Sequence, residues 1–142
     1  AASRGVRVAI VVQGWSDHRI FQQASRVLYG TLLDRGIEIY EYERSELHAK
    51  AAVVDGRWST VGSSNLDPFS LFLAREANVA VFGEPFAREL RESIDREIRD
   101  GARAVQRLLW RRRHWLKRTA GWFAYGYARL AMGIAGIGRR WS

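Results

Sequence analysis

Residues 48–65 read HAKAAVVDGRWSTVGSSN, and this segment predicts both a local fold and a chemistry. Small and β-branched residues precede Asp55-Gly56, a dipeptide that favours a tight hairpin turn, and strand-forming residues follow it. Side chains alternate between the two faces of a strand, so His48 and Lys50 are predicted to point the same way, roughly 6 to 7 Å apart. The segment therefore predicts a β-hairpin that carries an imidazole and an ammonium on one face.

The polar residues of this segment suit the binding of a phosphodiester. Lys50 can neutralise a phosphate oxygen, and Ser63 and Asn65, which follow the tight backbone of Gly62, can donate hydrogen bonds to the other oxygens. His48 can attack phosphorus or carry a proton. No carboxylate pair or Cys/His cluster lies nearby in the sequence, so we expect neither a metal ion nor another cofactor at this site.

The spacing of these residues, His-x-Lys-x4-Asp-x6-Gly-Ser-x-Asn, resembles the motif of the phospholipase D superfamily at every fixed position. Residues 66–79 read LDPFSLFLAREANV, which is similar to the bacterial cardiolipin synthases of that superfamily. The similarity extends more loosely over residues 6–98. It implies an α/β fold, in which a mixed β-sheet flanked by helices forms one phospholipase D-like half.

The resemblance also implies a mechanism. In the superfamily, the His of one motif forms a phosphohistidine, and the His of the second motif protonates the leaving alcohol and then assists the attack of an acceptor alcohol. A motif in the second half of a tandem enzyme usually supplies the acid and base, so His48 is expected in that role. The remaining roles that the resemblance implies are phosphate binding by Lys50, Ser63 and Asn65, orientation of the imidazole by Glu76, and structural support by Asp55 and Gly62.

Two motifs are needed for one such site, and this chain contains one. The chain also runs almost directly from Ala1 into a predicted strand. We expect it to be the C-terminal half of a longer tandem enzyme; the alternative is a single-motif protein that completes its site across a two-fold dimer axis. In either case an isolated monomer should be inactive.

The first 98 residues have the pattern of an α/β domain, and the rest of the chain differs from them sharply in charge. Residues 1–98 contain 12 Lys or Arg against 14 Asp or Glu, whereas residues 99–142 contain 11 against one. We therefore predict a catalytic half-domain over 1–98 and a separate tail over 99–142, with the last helix of the first part continuing into the tail. The other predicted strands are 6–12, 37–42 and 77–82, and the predicted helices are 17–34 and 86–98.

The tail alternates basic and aromatic residues, a combination that suits the headgroup region of an anionic membrane. Residues 119–138 carry a single charge and are long enough to cross a bilayer as a helix, but their glycines and the central Arg129 favour an interfacial or shallowly inserted helical hairpin. A true span and a helix packed on the protein are the alternatives. The expected location is the cytoplasmic face of a bacterial inner membrane. The predicted membrane-binding residues are Trp110, Arg111, Arg112, Arg113, Trp115, Lys117, Arg118 and Trp122.

Three classes of function fit these patterns. The first is phosphatidyl transfer between phospholipids, which makes cardiolipin from phosphatidylglycerol, with phosphatidylethanolamine as an alternative donor. The second is a nuclease or other phosphodiesterase of the same superfamily, but nucleic acid is not the expected partner because the catalytic part is close to neutral. The third is a non-catalytic module that binds anionic membranes through its tail.

Overall fold

The computed structural model describes residues 1–15, 26–64, 75–111 and 126. The strands form two small sheets, one mixed and one antiparallel, and helices connect or follow them, so the predicted α/β class is confirmed. The ten residues 16–25, which include the start of the predicted helix 17–34, lie outside the described part. In chain order the elements are β1 Ala9–Gln13, α1 Tyr29–Asp34, β2 Glu38–Tyr42, β3 Ala51–Val54, β4 Trp58–Gly62, β5 Asn78–Phe82, α2 Glu84–Gly101, β6 Ala102–Ala104 and α3 Arg107–Arg111.

The chain divides into two compact units. The flanking unit is built from the residues up to Glu46 together with those from Gly101 onward, and the central unit is Leu47–Asp100. The flanking unit contains β1 and β2, which pair in parallel, and β6, which pairs antiparallel with β2. Parallel strands need a crossover connection, and α1 lies in that connection. The core of the flanking unit is formed by Tyr29, Leu33 and Ile39, with Val12, Leu32, Ile37, Val105 and Trp110 packed against them.

Strand β6 corrects the prediction that helix 86–98 continues into the tail. The helix ends at Gly101, whose carbonyl accepts a hydrogen bond from the Glu43 backbone N–H at 2.8 Å. A Cβ atom at position 101 would lie 2.5 Å from the Tyr42 ring, so only glycine fits here without a shift of that ring. The sequence Ala-Arg-Ala that follows is short and has no β-branched or aromatic residue, and β2, about 60 residues earlier, supplies the pairing that makes it a strand.

A buried glutamate connects three segments of the flanking unit. Glu41 on β2 is 4% exposed, and its carboxylate accepts hydrogen bonds from Arg26 at 2.7 Å and from Arg103 at 3.3 Å. Arg103 also binds Glu43 at 3.0 Å. A buried carboxylate is tolerated when cations and hydrogen bonds satisfy it, and here two arginines do so.

The central unit is an antiparallel sheet of β3, β4 and β5, and helix α2 follows β5. The predicted hairpin is present: Asp55 and Gly56 both have positive φ, 53° and 64°, and the Arg57 N–H donates to the Val54 carbonyl at 3.2 Å. Val54 pairs with Trp58, so the connection is one residue longer than the two-residue turn that Asp-Gly predicts.

The beginning of the predicted tail, helix α3, packs against α1 within the flanking unit. Trp110, predicted to bind a membrane, is half-buried and stacks at a tilt on Tyr29 with ring centroids 5.0 Å apart. Arg107 forms an ion pair with Asp34 at 2.8 Å, whereas Leu108 is 76% exposed. In the residues that the structure describes, no helix is both long and apolar enough to cross a bilayer. Of the predicted membrane-binding set, Arg112, Arg113, Trp115, Lys117, Arg118 and Trp122 lie outside the described residues, and Arg111 is described only as the last residue of α3.

Candidate active site

His48 and Lys50 lie just before β3 rather than within it. The strand begins at Ala51, which corrects the prediction that it already includes His48. The backbone ladder reaches one residue further, because the Gly62 N–H donates to the Lys50 carbonyl at 3.0 Å. Only alternate N–H groups of β4 face β3, and the next one after Gly62 is that of Ser64, which donates to the side-chain Oδ1 of Asn78 at 3.4 Å instead, so the β3–β4 ladder ends at Lys50.

The two side chains of the His-x-Lys pair are both reachable from solvent. His48 is exposed and Lys50 is half-buried. The Lys50 ammonium donates a hydrogen bond to the backbone carbonyl of His48 at 2.9 Å. The cation is therefore held beside the histidine by a neutral acceptor. An anionic phosphate oxygen would be a stronger acceptor for the same ammonium.

Gly62 allows β4 and β5 to approach unusually closely at the edge of the site. It pairs with Asn78, and a Cβ atom added to it would lie 2.6 Å from the Asn78 Cα and would also collide with the Ala77 carbonyl oxygen. These neighbours are backbone atoms of the adjacent strand, which cannot swing aside as a side chain can. Only glycine fits this position without a shift of the sheet.

The Ser63 hydroxyl is tied to the backbone of the neighbouring segment. Its Oγ accepts a hydrogen bond from the Ala77 N–H at 3.0 Å and donates to the Ala77 carbonyl at 3.4 Å, while the Ser63 N–H donates to the same carbonyl at 3.0 Å. The bond that the hydroxyl donates is the longest of the three, and the side chain is exposed. Rotation of the hydroxyl proton toward a phosphate oxygen would therefore break only the weakest of these bonds.

Asn78 is a site-forming residue that the sequence analysis did not identify. Its side-chain Nδ2 donates to the Ser64 Oγ at 2.5 Å, and its Oδ1 accepts from the Ser64 N–H at 3.4 Å. The sequence offered one signal, the Arg75-Glu-Ala-Asn78 run. It gave no means of telling that the last residue of this run would face the motif across the sheet.

The structure does not join every predicted site residue to the motif in the part of the chain that it describes. Glu76 is half-buried, and among the described residues no hydrogen bond or ion pair connects its carboxylate to His48. Asn65 lies outside the described residues. In residues 1–15, 26–64 and 75–111, no group of three His, Cys, Asp or Glu side chains is arranged to hold a metal ion. The structure thus brings together Lys50 with the His48 backbone, and Ser63 and Ser64 with residues 77 and 78.

Comparison with known proteins gives a consistent family. A family model described as cardiolipin synthase, phospholipase D-like domain, matches residues 1–98. Cardiolipin synthase B of Escherichia coli (strain K12) is 38% identical over 136 residues, which are 96% of this chain and 33% of that protein. Cardiolipin synthase A of Yersinia pseudotuberculosis is 38% identical over 117 residues, 79% of this chain and 24% of that protein. The chain thus spans a third or less of the length of these relatives. No solved structure matches it significantly.

Proposed function

The chain belongs to the phospholipase D-like domain family of cardiolipin synthases, and from this premise we propose that it supplies one half of an active site for phosphatidyl transfer between phospholipids. The observation that carries the proposal is the complete motif from His48 to Asn65, in a chain that matches the family over residues 1–98. The His48 imidazole is exposed, and the Lys50 ammonium donates a hydrogen bond to the backbone carbonyl of His48; both observations add to this support.

The proposed reaction converts two molecules of phosphatidylglycerol into cardiolipin and glycerol. In the first step an imidazole nitrogen attacks phosphorus, the bond from phosphorus to the headgroup glycerol oxygen breaks, and the leaving oxygen takes a proton from a second imidazole. In the second step a hydroxyl of another phosphatidylglycerol gives its proton to that second imidazole and attacks phosphorus. The phosphorus–nitrogen bond breaks, which releases cardiolipin and frees the nucleophile. With phosphatidylethanolamine as donor, ethanolamine would leave in place of glycerol.

Each motif residue has a defined task in this reaction. His48 acts as the acid and base, while the histidine of a second motif carries the phosphatidyl group. Lys50 leaves the His48 carbonyl to neutralise a phosphate oxygen, and Ser63 and Asn65 donate hydrogen bonds to that group. Glu76 accepts a hydrogen bond from the far nitrogen of the imidazole once substrate is bound, which fixes its tautomer. The charge on the phosphate oxygens is stabilised by these side chains, with no metal ion required.

The second motif comes from another polypeptide segment, either a preceding half of the same protein or a second copy of this chain. A monomer of this chain alone is then inactive. We further propose that residues 1–98 form the catalytic half-domain and residues 99–142 a tail, helical after β6, whose basic and aromatic residues hold the protein peripherally on the cytoplasmic face of the inner membrane. Five Lys or Arg residues between 111 and 118, beyond the ion-paired Arg103 and Arg107, support this proposal, since each cation near an anionic leaflet contributes on the order of 1 kcal/mol.

The central test uses vesicles of labelled phosphatidylglycerol in the presence of a chelator, with the enzyme that contains this chain. Wild-type protein should form cardiolipin and glycerol, and His48→Ala and Lys50→Ala should each lower turnover by about three orders of magnitude or more. Arg57→Ala is the matched control: it removes a cation from the same hairpin, at a side chain 79% exposed, and should leave turnover unchanged. Near-normal product from the His48 or Lys50 variant would contradict the assigned roles, and cleavage of DNA with no lipid product would favour the nuclease.

A concentration series of the 142-residue chain tests the origin of the second motif. Specific activity that rises with chain concentration indicates a dimer, whereas activity only after addition of a second motif-bearing segment indicates a tandem enzyme. Removal of residues 112–142 tests the tail and leaves the packed contacts of α3 in place. It should reduce activity on vesicles more than on short-chain, water-soluble lipids, and equal losses on both would argue against membrane docking.

A further inference from the structure

Asn78 holds the turn that contains Ser63 and Ser64 in a way that no other side chain of the central unit does in the described part of the chain. It lies at the start of β5, directly opposite Gly62, the last residue of β4. Its amide both donates to the Ser64 hydroxyl and accepts from the Ser64 N–H. A side-chain amide presents a donor and an acceptor as a peptide group does. Asn78 therefore extends the β4–β5 ladder by one rung after the backbone strand has ended.

The neighbouring residue completes the restraint. The backbone of Ala77 makes three hydrogen bonds with Ser63, two through its carbonyl and one through its N–H. Together with the two bonds of Asn78, the residues 77 and 78 fix both serines of the Gly-Ser-Ser-Asn run. The next residue in the chain is Asn65, which we propose to bind phosphate. The side chain of Asn78 thus restrains Ser64, the residue that precedes Asn65 in the sequence.

The absence of a Cβ at Gly62 is part of the same arrangement. The Asn78 Oδ1 occupies the space that a side chain at position 62 would need. Lys50 pairs with Gly62 on the other side through its carbonyl. Lys50, Gly62 and Asn78 therefore form one row across the sheet, with the cation and the amide about 9 to 10 Å apart at the level of the backbone. Residues in one row of a sheet share a face, so position 78 carries a neutral amide, rather than a charge, on the face that carries Lys50.

We propose that Asn78 is a positioning residue of the phosphatidyl-transfer site: it orients the turn that contains Ser63 and Ser64 and keeps its own position, on the face of the sheet that carries Lys50, free of negative charge. This inference rests on the proposed function for its kinetic consequences. Its structural part, the restraint of Ser64 by the Asn78 amide, can be tested without any lipid reaction. Two substitutions at this one position separate the two halves of the role.

Asn78→Ala removes both hydrogen bonds to Ser64 and adds no charge. The turn should lose its fixed direction, and because misplacement of a group by about 1 Å can cost a hundredfold in rate, kcat should fall by about tenfold to a hundredfold. KM for phosphatidylglycerol should change by less than about threefold, since a correctly oriented turn stabilises the transition state more than the bound lipid. Val79→Ala is the matched control. It truncates the next side chain of β5, which is 66% exposed and lies on the opposite face of the sheet, and should leave kcat unchanged.

Asn78→Asp keeps the shape and both hydrogen bonds, because a carboxylate can accept from the Ser64 N–H and from its hydroxyl. It also places a negative charge near the proposed phosphate position. Its KM for the anionic lipid should rise by about tenfold, with a smaller effect on kcat, and the rise should shrink as salt is added. The two variants thus have opposite signatures. If both match Val79→Ala in kcat and KM and alter only the melting temperature, Asn78 has a merely structural role and the inference is overturned.

Amide hydrogen exchange of the 142-residue chain distinguishes this inference from the proposed function. In Asn78→Ala the Ser64 N–H should exchange at least about tenfold faster than in the wild type, whereas in Asn78→Asp it should exchange at the wild-type rate. If lipid transfer is not observed but the exchange rates behave in this way, the proposed function fails and the restraint by Asn78 is supported. Unchanged Ser64 exchange in Asn78→Ala would overturn the inference whatever the lipid assay shows.

Discussion

Replacing Glu41 by Gln should destabilise the flanking unit several times more than the same change at Glu43. The two glutamates are two residues apart, one on β2 and one directly after it, both are paired with Arg103, and they differ chiefly in burial. The Glu41 side chain is 5% exposed and its second partner, Arg26, is 15% exposed. The Glu43 side chain is 47% exposed. The comparison therefore tests the combined effect of burial and of the second cation, Arg26, on an ion pair.

The expected magnitudes follow from these exposures. Removing one partner of a buried pair leaves an uncompensated charge, here that of Arg26, and costs about 3 to 5 kcal/mol. Gln retains one acceptor and Arg26 keeps its bond to the Gly14 carbonyl, so the lower end of that range, about 3 kcal/mol, is expected for Glu41→Gln. An exposed pair contributes about 0 to 1 kcal/mol because water and salt screen it. Glu43→Gln should therefore cost less than about 1 kcal/mol.

Amide hydrogen exchange along β2 measures these differences within the flanking unit, whatever the central unit does. Urea denaturation gives a second measure. With a slope of about 2 kcal/mol per molar, the midpoint should fall by about 1.5 M for Glu41→Gln and by less than about 0.5 M for Glu43→Gln. Equal losses for the two variants would refute the reasoning, because burial could not then be what makes the Glu41 pair strong.

Three further substitutions test separate features of the structure. Ser59 is fully buried and its hydroxyl has no hydrogen-bond partner among the described residues. Ser59→Ala should therefore stabilise the chain by about 1 kcal/mol, measured by urea denaturation. A loss of stability would mean that the Ser59 hydroxyl does have a hydrogen-bond partner. The Arg7 guanidinium, 2.8 Å from the Glu38 carboxylate, holds the pKa of Glu38 below its ordinary value. The pair therefore stabilises the fold at any pH above the pKa that Glu38 has in the unfolded chain. This stability is lost as the pH falls through the lower pKa that Glu38 has in the folded chain. Arg7→Ala should accordingly lower the stability at about pH 6 more than at about pH 3, and an equal loss at both would contradict the assignment. Gly62→Ala should open the β4–β5 ladder, seen as faster exchange of its amides, and an unchanged ladder would show that the sheet can relax around a Cβ.

Local patterns in the sequence predicted much of the fold. The strands predicted at 6–12, 37–42 and 77–82 are observed as Ala9–Gln13, Glu38–Tyr42 and Asn78–Phe82, and the helix predicted at 86–98 runs from Glu84 to Gly101. The hairpin was recognisable because Asp-Gly tolerates the positive φ values that its turn requires. Family membership was recognisable from the spacing of the motif. The roles of the site residues and the two-part division at residue 98 stay predictions.

Two features that the sequence did not reveal depend on partners far away in the chain. Trp110 looked like a residue of an exposed basic tail, because its neighbours are basic, but its ring packs on Tyr29, about 80 residues earlier. Ala102–Ala104 looked like a continuation of a helix until β2 offered a free edge. Neither contact leaves a trace in the local periodicity of the residues that make it.

The sequence by itself determined the family of this protein and the chemical groups of its motif, since residue types and their spacing suffice to specify an imidazole, an ammonium and a tight turn next to one another. The tertiary structure alone decided how these groups are held. Lys50 donates a hydrogen bond to the His48 carbonyl, β4 and β5 approach closely at Gly62, and the Asn78 side chain donates a hydrogen bond to Ser64. The physical reason is that turns and strands follow from the preferences of neighbouring residues, whereas the pairing of β4 with β5 joins segments separated by some fifteen residues and is selected by the packing of the whole sheet.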